Sequence, residues 1–258
     1  MLRTMSKNQI DFCIGQFSAC VVQLVQQRCS PFIHPCSYEN DPPEVYLDLL
    51  GVCAMYSQRS PSNSGIIFNM LDNKISKLLS SSKLSLPFLK DQLVLVQTLL
   101  IYQIIRLFDG DVRQRAYAER HFAILEEWTQ RLQIACVEYE SDQDPSQTQY
   151  YRWILIESAR RTSLMSLMVH GIYCLLRDGV CTTVPKMAFL PMSMNGALWN
   201  MSEEDWWLKT HGRGSDLLTY QEFVVGWSDG TPYEIDAFET IMLAACKHKI
   251  TDNSFKAS

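Results

Sequence analysis

Glu157, Arg160 and Arg161 are three and four residues apart, the spacing at which side chains meet on one face of a helix. With Glu157 at the origin and a helical advance of about 100° per residue, Arg160, Arg161, Leu164, Met168, Gly171, Ile172 and Leu175 fall within about 60° of it. Charge and an apolar stripe therefore share a face. A charge on such a face must be paired, because an unpaired ion inside a protein is very costly. Two chemistries fit: an ion-pair network that sets how helices dock, or an anion or polar-ligand site at the base of a cavity. His170 falls opposite with Ser163, Ser166 and Arg177, and reads as a surface or partner-facing histidine rather than a base. His34 sits between Pro31 and Pro35 and reads as a histidine locked in a loop contact. Trp153, Trp199, Trp206 and Trp207 could line an apolar ligand cavity, or they could be core anchors with one hydrogen-bonded tip.

Other chemistry is sparse. The nine cysteines lie at 13, 20, 29, 36, 53, 136, 174, 181 and 246, with no CxxC pair to present two thiolates to one metal. Cys13 and Cys20 fall on one helix face as small core residues. No metal site and no cofactor is expected. The GxSxG, HExxH and GxxxxGK[ST] signatures are missing. Gly212-Arg213-Gly214 reads as a loop, and Asp109-Gly110-Asp111 as a helix stop and restart, without the ligands a calcium loop needs.

The elements that must position these residues are helical. Apolar residues recur near a 3.6 period over 8–28, and Pro31 to Pro35 then breaks the helix. Asp41-Pro42-Pro43-Glu44 opens a helix to about Gln58, with prolines in its first turn. A turn at 60–64 leads into a helix ending at Ser80–Ser82. Pro87 starts an apolar helix that stops near Asp109-Gly110. Residues 112–138 read as one longer helix, with Tyr117, Phe122, Leu125, Trp128 and Leu132 buried. Residues 140–149 read as an exposed acidic loop, and 150–177 as a long helix. Residues 178–200 form an irregular strap. Ser202 caps a helix that opens with Glu203, Glu204 and Asp205, and two more helices follow near 219–227 and 234–249. No strand pair is expected. The fold class is all-α, a single helical domain over 1–258.

Composition sets the remaining bounds. The 258 residues are 47% apolar and 20% charged, average for a globular chain with a sizeable core. The net charge is −5 and neither half is basic, so the electrostatic footprint of direct nucleic-acid binding is missing. The run from Leu93 to Ile105 is too short for a membrane span and reads as a buried helix. The first residues hold no apolar signal sequence, so an intracellular place, nucleus or cytoplasm, is expected, with reduced thiols.

The order of motifs carries a resemblance. PFIHP at 31–35, DLLGVCAMYSQRSPSN at 48–63, the helix at 96–129, W-x3-ES-x-RRT at 153–162, LLRDGVC at 175–181, LPMSMNGALWNMSEEDWW at 190–207 and DAFETIMLAACKH at 236–248 follow one another. Over about 9–250 the chain resembles the regulatory (middle homology) domain of fungal Zn2Cys6-type transcription factors, the kind found in secondary-metabolite gene clusters. The resemblance implies an all-helical domain that binds effectors or partners. The family's basic six-cysteine DNA-binding module has no counterpart within these residues.

Three readings follow. The chain could be a regulatory protein without its own DNA-binding module, taking a small-molecule metabolite or a protein partner, including a second copy of itself. It could be the same fold repurposed as a cofactor-free cyclase or isomerase, pericyclase-like, acting on a small apolar metabolite. His34, Glu157 and Arg161 would then be the catalytic candidates, with Trp153, Arg160, Trp199, Trp206 and Trp207 binding the ligand. Or it could be part of a transcription factor whose DNA-binding segment is encoded upstream.

Overall fold

The computed structural model describes residues 5–81, 88–142 and 146–244. Their helices are α1 (Lys7–Gln27), α2 (Glu44–Ser57), α3 (Ser64–Ser81), α4 (Leu89–Asp109), α5 (Val112–Arg120), α6 (Phe122–Ser141), α7 (Gln149–Asp178), α8 (Val184–Met187), α9 (Glu203–Thr210), α10 (Tyr220–Ser228) and α11 (Ala237–Ala244). The all-α class holds. α4 and α7 are the two central helices: α7 packs on α6 and α4, and α4 on α1, α5 and α6. One contiguous core runs from Cys13 on α1 to Ala244 on α11, and Cys13 and Cys20 are buried in it. A smaller cluster of Tyr150, Trp153, Ile154, Leu198 and Trp206 lies beside it.

α4 is long and apolar enough to cross a membrane by composition alone, but most of it is buried inside the protein. Two of its buried polar side chains are tied to neighbours. Gln97 accepts from the Tyr38 hydroxyl at 2.7 Å and donates to the Phe32 carbonyl at 2.8 Å. Arg106 pairs with Asp72.

Several expectations change. Residues 112–138 are two helices, not one, and they meet at His121. The Gln103 side chain donates to the Ala118 carbonyl at 2.8 Å, and the His121 amide takes the same carbonyl at 2.9 Å. A continuous helix would need that carbonyl for the amide of residue 122. Gln114 and Ala118 form the buried side of α5, and Tyr117 and Phe122 are only half-buried. Leu125, Trp128 and Leu132 are buried as expected.

The acidic stretch is shorter than 140–149: Glu140 and Ser141 close α6, Gln149 opens α7, and 143–145 lie outside the described residues. α7 is buried almost all round, so Ser163 and Ser166 are interior and His170 is half-buried, stacked on Phe122 at 4.0 Å. The prolines at 42 and 43 precede α2, with Pro43 at its cap. The strap contributes one strand of a pair, where none was expected. β1 (Pro191–Ser193) runs antiparallel to β2 (Leu217–Thr219), with Met192 opposite Leu218. Three-residue strands are too short to show a period of two. The expected start at Pro87 and the end of the last helix over 245–249 lie outside the described residues.

Candidate functional site

The loop after α1 carries the site, and its backbone is tied down at Ser30 to Ile33. Ser30 and Ile33 exchange amide bonds at 2.9 and 3.3 Å, closing a turn over Pro31-Phe32. The Ser30 hydroxyl accepts from the Ile33 amide at 3.1 Å. The Pro31 carbonyl accepts from Arg161, and the Phe32 carbonyl from Gln97 and Thr162. A buried loop persists only when its polar groups find such partners.

His34 is held the same way. Its Nδ1 accepts from the Cys36 amide at 3.2 Å, so the proton lies on Nε2, which donates to the Trp199 carbonyl at 3.1 Å. Burial pushes its pKa down to about 4; the Trp199 carbonyl opposes this and nearby Arg161 adds to it. The Trp199 ring meets it edge-on at 4.8 Å. A neutral imidazole with both nitrogens occupied fastens the loop and does not present a free base.

Beneath the loop lies the α7 constellation. Arg161 Nε donates to Glu157 Oε1 at 2.9 Å, and Nη1 to Asp236 Oδ2 at 2.7 Å and to the Pro31 carbonyl at 3.2 Å. Glu239 Oε1 stands 3.6 Å from Nη2. The guanidinium lies between the Trp199 ring at 4.3 Å and the Phe238 ring at 4.8 Å. The second oxygen of Glu157 accepts from the Ser193 hydroxyl at 2.6 Å and faces Arg160 Nη1 at 3.6 Å. Arg160 also pairs with Glu140.

Asp236 and Glu239 form a reciprocal cap at the start of α11. The amides of Phe238 and Glu239 donate to Asp236 Oδ1, and the Asp236 amide donates to Glu239 Oε2 at 3.0 Å. Burial and the hydrogen bond with Asp236 push the Glu239 carboxyl up to about 9. Asp236 goes the other way: burial would raise it, but Arg161 and the bonds from Glu239 hold it below the usual carboxylate range. The proton is therefore held on Glu239, and Asp236 keeps its charge beside Arg161. Glu157 and Arg161 are each 2% exposed or less. They are sealed under the loop.

Above this network opens a cleft of about 610 Å³. His34, Tyr150 and Trp199 supply aromatic wall, Asn200 and Ser202 supply polar groups, and Glu203 and Asp236 supply acid. No arginine or lysine lines it. Of the candidate catalytic and ligand-binding residues named from the sequence, only His34 and Trp199 line this cleft. Arg160 borders a separate groove of about 260 Å³ with Cys136, Leu190 and Leu217. Trp153 and Trp206 are buried in the smaller cluster, and neither indole N–H has a hydrogen-bond partner. Gly214, in the left-handed region at φ +74°, lies against Trp153, where a Cβ would stand 3.2 Å from the indole nitrogen. Trp207 is 41% exposed with its edge on Trp206. Asp236, Glu239 and Ser193 were not foreseen. The D-x-x-E spacing at 236–239 marks a helix cap, but nothing local connects it to Arg161. Among the described residues no group of three or more His, Cys, Asp or Glu is placed to hold a metal ion.

The chain is 30% identical over 217 residues to transcription factor gsfR2 of Penicillium aethiopicum. It is related in sequence to a fungal transcription factor. The match covers 81% of this chain and 52% of the relative, so the chain spans about half the length of that protein. No family model matches, and no solved structure matches.

Proposed function

We propose that the chain is a regulatory protein of fungal secondary metabolism whose effector is a small metabolite held in the cleft between the 31–36 loop, Trp199 and the start of α11. The observation that carries this reading is the likeness to a fungal transcription factor over four-fifths of the chain. The cleft volume lies in the range of small-molecule sites. Its aromatic walls, its amide and hydroxyl groups and its lack of a cation suit an uncharged or cationic aromatic molecule better than an anion. His34, Glu157 and Arg161 are each engaged in hydrogen bonds within the protein, which supports the regulatory reading over the enzyme reading. A regulator of this kind works in the nucleus.

The test is a strain with the gene deleted, in which genome-wide transcripts and the metabolite profile are read from the same culture. The expected result is a coordinated rise or fall of a block of biosynthetic transcripts. Unchanged transcripts, with one intermediate accumulating and its product lost, would replace the regulator with an enzyme.

A further inference from the structure

A second site lies away from the cleft, in the corner where α2, α3 and α4 meet. A cavity of about 100 Å³ opens there, with Thr98 and Tyr102 of α4 lining it. Both residues are about 1% exposed, and neither hydroxyl has a hydrogen-bond partner. They stand one helical turn apart on the same face. The rest of the lining carries charge of both signs: Lys74 and Lys77 from α3, Glu44 and Asp48 from α2. Lys74 pairs with Asp48 at 2.5 Å, and Lys77 with Glu44 at 2.6 Å and with Asp48 at 3.5 Å. Val45 and Leu78 supply apolar wall.

Two buried hydroxyls without partners are an unusual cost, since buried polar groups are nearly always satisfied. A molecule that reaches them with hydrogen-bonding atoms removes it. The charged rim restricts what that molecule can be. A free anion would add a negative charge beside Glu44 and Asp48, and a free cation would add a positive one beside Lys74 and Lys77. A neutral polyol would satisfy hydrogen bonds but draw little from four ions, whereas charge-assisted bonds are about twice as strong as neutral ones. A zwitterion matches both signs at once: its carboxylate takes spare ammonium N–H groups, and its ammonium meets the carboxylates. Cavities of ~150 Å³ hold a benzene-sized guest, so this one, at about 100 Å³, encloses only about four heavy atoms and leaves the guest's charged groups at the open rim. We infer that the α2–α3–α4 corner binds a small α-amino acid, its charged groups at the lysine–carboxylate rim and a hydroxyl-bearing side chain on Thr98 and Tyr102.

The experiment is isothermal titration calorimetry of the full chain with L-serine, alongside glycerol, acetate and ethylammonium at the same concentrations. The expected result is saturable heat with L-serine and none with the other three. Thr98→Val and Tyr102→Phe should each weaken serine binding by about tenfold while keeping the helical circular-dichroism signal. The exposed rim variant Lys77→Gln, which leaves the interior untouched, should weaken it several-fold. No saturable heat with serine, as expected of a cavity holding only water, would overturn the assignment. Equal binding of acetate or glycerol, or wild-type affinity in all three variants, would do the same. None of these outcomes depends on the cleft or on the regulatory reading.

Discussion

Two buried polar clusters in this protein are built on opposite terms. Under the 31–36 loop, Arg161 joins α7, the loop and α11, and the Glu157–Arg161–Asp236–Glu239 set contains no buried side-chain atom left without a partner. In the α2–α3–α4 corner, Thr98 and Tyr102 are as deeply buried but their hydroxyls have no partner, and they line a cavity with a charged rim. Burial of polar groups is therefore not itself a sign of a binding site. A saturated cluster fixes how elements dock; an unsaturated one beside open volume has bonds to offer a ligand.

The largest effect expected of breaking that contrast is at Arg161. Arg161→Met takes the cation from Asp236 and leaves Glu157 only the Arg160 cation at 3.6 Å, and removing one partner of a buried pair costs about 3–5 kcal/mol. Urea unfolding should show the loss as a lower midpoint, with the α11 end least protected in hydrogen exchange. A midpoint within error of the wild type would mean that the network does not hold α11 to α7.

A smaller loss is expected at Gly196, whose missing Cβ leaves room for the buried Glu239 carboxyl. Gly196→Ala forces that carboxyl aside and should cost about 1–3 kcal/mol, as overpacked positions do. Thermal unfolding would show it, and Glu239→Ala on the same background should recover part of the loss by making space.

Two pH dependences sharpen the comparison further. The folded chain keeps a proton on Glu239 that the unfolded chain releases above its ordinary value near 4.5. That group's contribution is therefore full at low pH and is lost as pH rises toward about 9. Glu239→Gln, which cannot ionise, should gain stability relative to wild type steadily across that window and then level off. His34 acts on the acid side. The unfolded chain takes up a proton below about 6.5 and the folded loop does so only near 4, so stability falls as pH drops through that interval. His34→Asn should flatten that acid limb. Parallel curves for wild type and each variant in denaturation series from pH 4 to 9 would contradict the two assignments.

The smallest effect is expected at the exposed tryptophan. Trp207→Ala should change stability by no more than about 0.5 kcal/mol, whereas Trp206→Ala, a fully buried ring, should cost about 3–5 kcal/mol.

The sequence made the helices legible where breakers punctuate them. Pro31 and Pro35 mark the end of α1, Ser202 marks the cap of α9, and Gly110 marks the end of α4. It hid the break between α5 and α6, because no residue from Ala118 to Phe122 forbids a helix. The break comes from Gln103, a residue of another helix, competing for one carbonyl. The site divides the same way. Glu157, Arg160 and Arg161 could be found because helical spacing is local information. Asp236 and Glu239 could not be joined to them, since that pairing depends on where α11 docks, 75 residues further along the chain from Arg161 to Asp236. The tryptophans looked alike by residue type, and only packing separates Trp199 at the cleft, Trp153 and Trp206 in the interior, and Trp207 at the surface.

One matched pair of substitutions tests the contrast most directly. Thr98 and Thr162 are both fully buried, on α4 and α7, but only Thr162 has partners, at Gln97 and the Phe32 carbonyl. Urea unfolding of Thr98→Val and Thr162→Val, same change and same volume, isolates the hydroxyl. Thr162→Val should lose about 1–3 kcal/mol by stripping buried partners of a bond, and Thr98→Val should lose nothing or gain slightly. Equal losses at the two positions, or a larger loss at Thr98, would show that the α2–α3–α4 corner is as saturated as the Arg161 network and that the distinction between them is wrong.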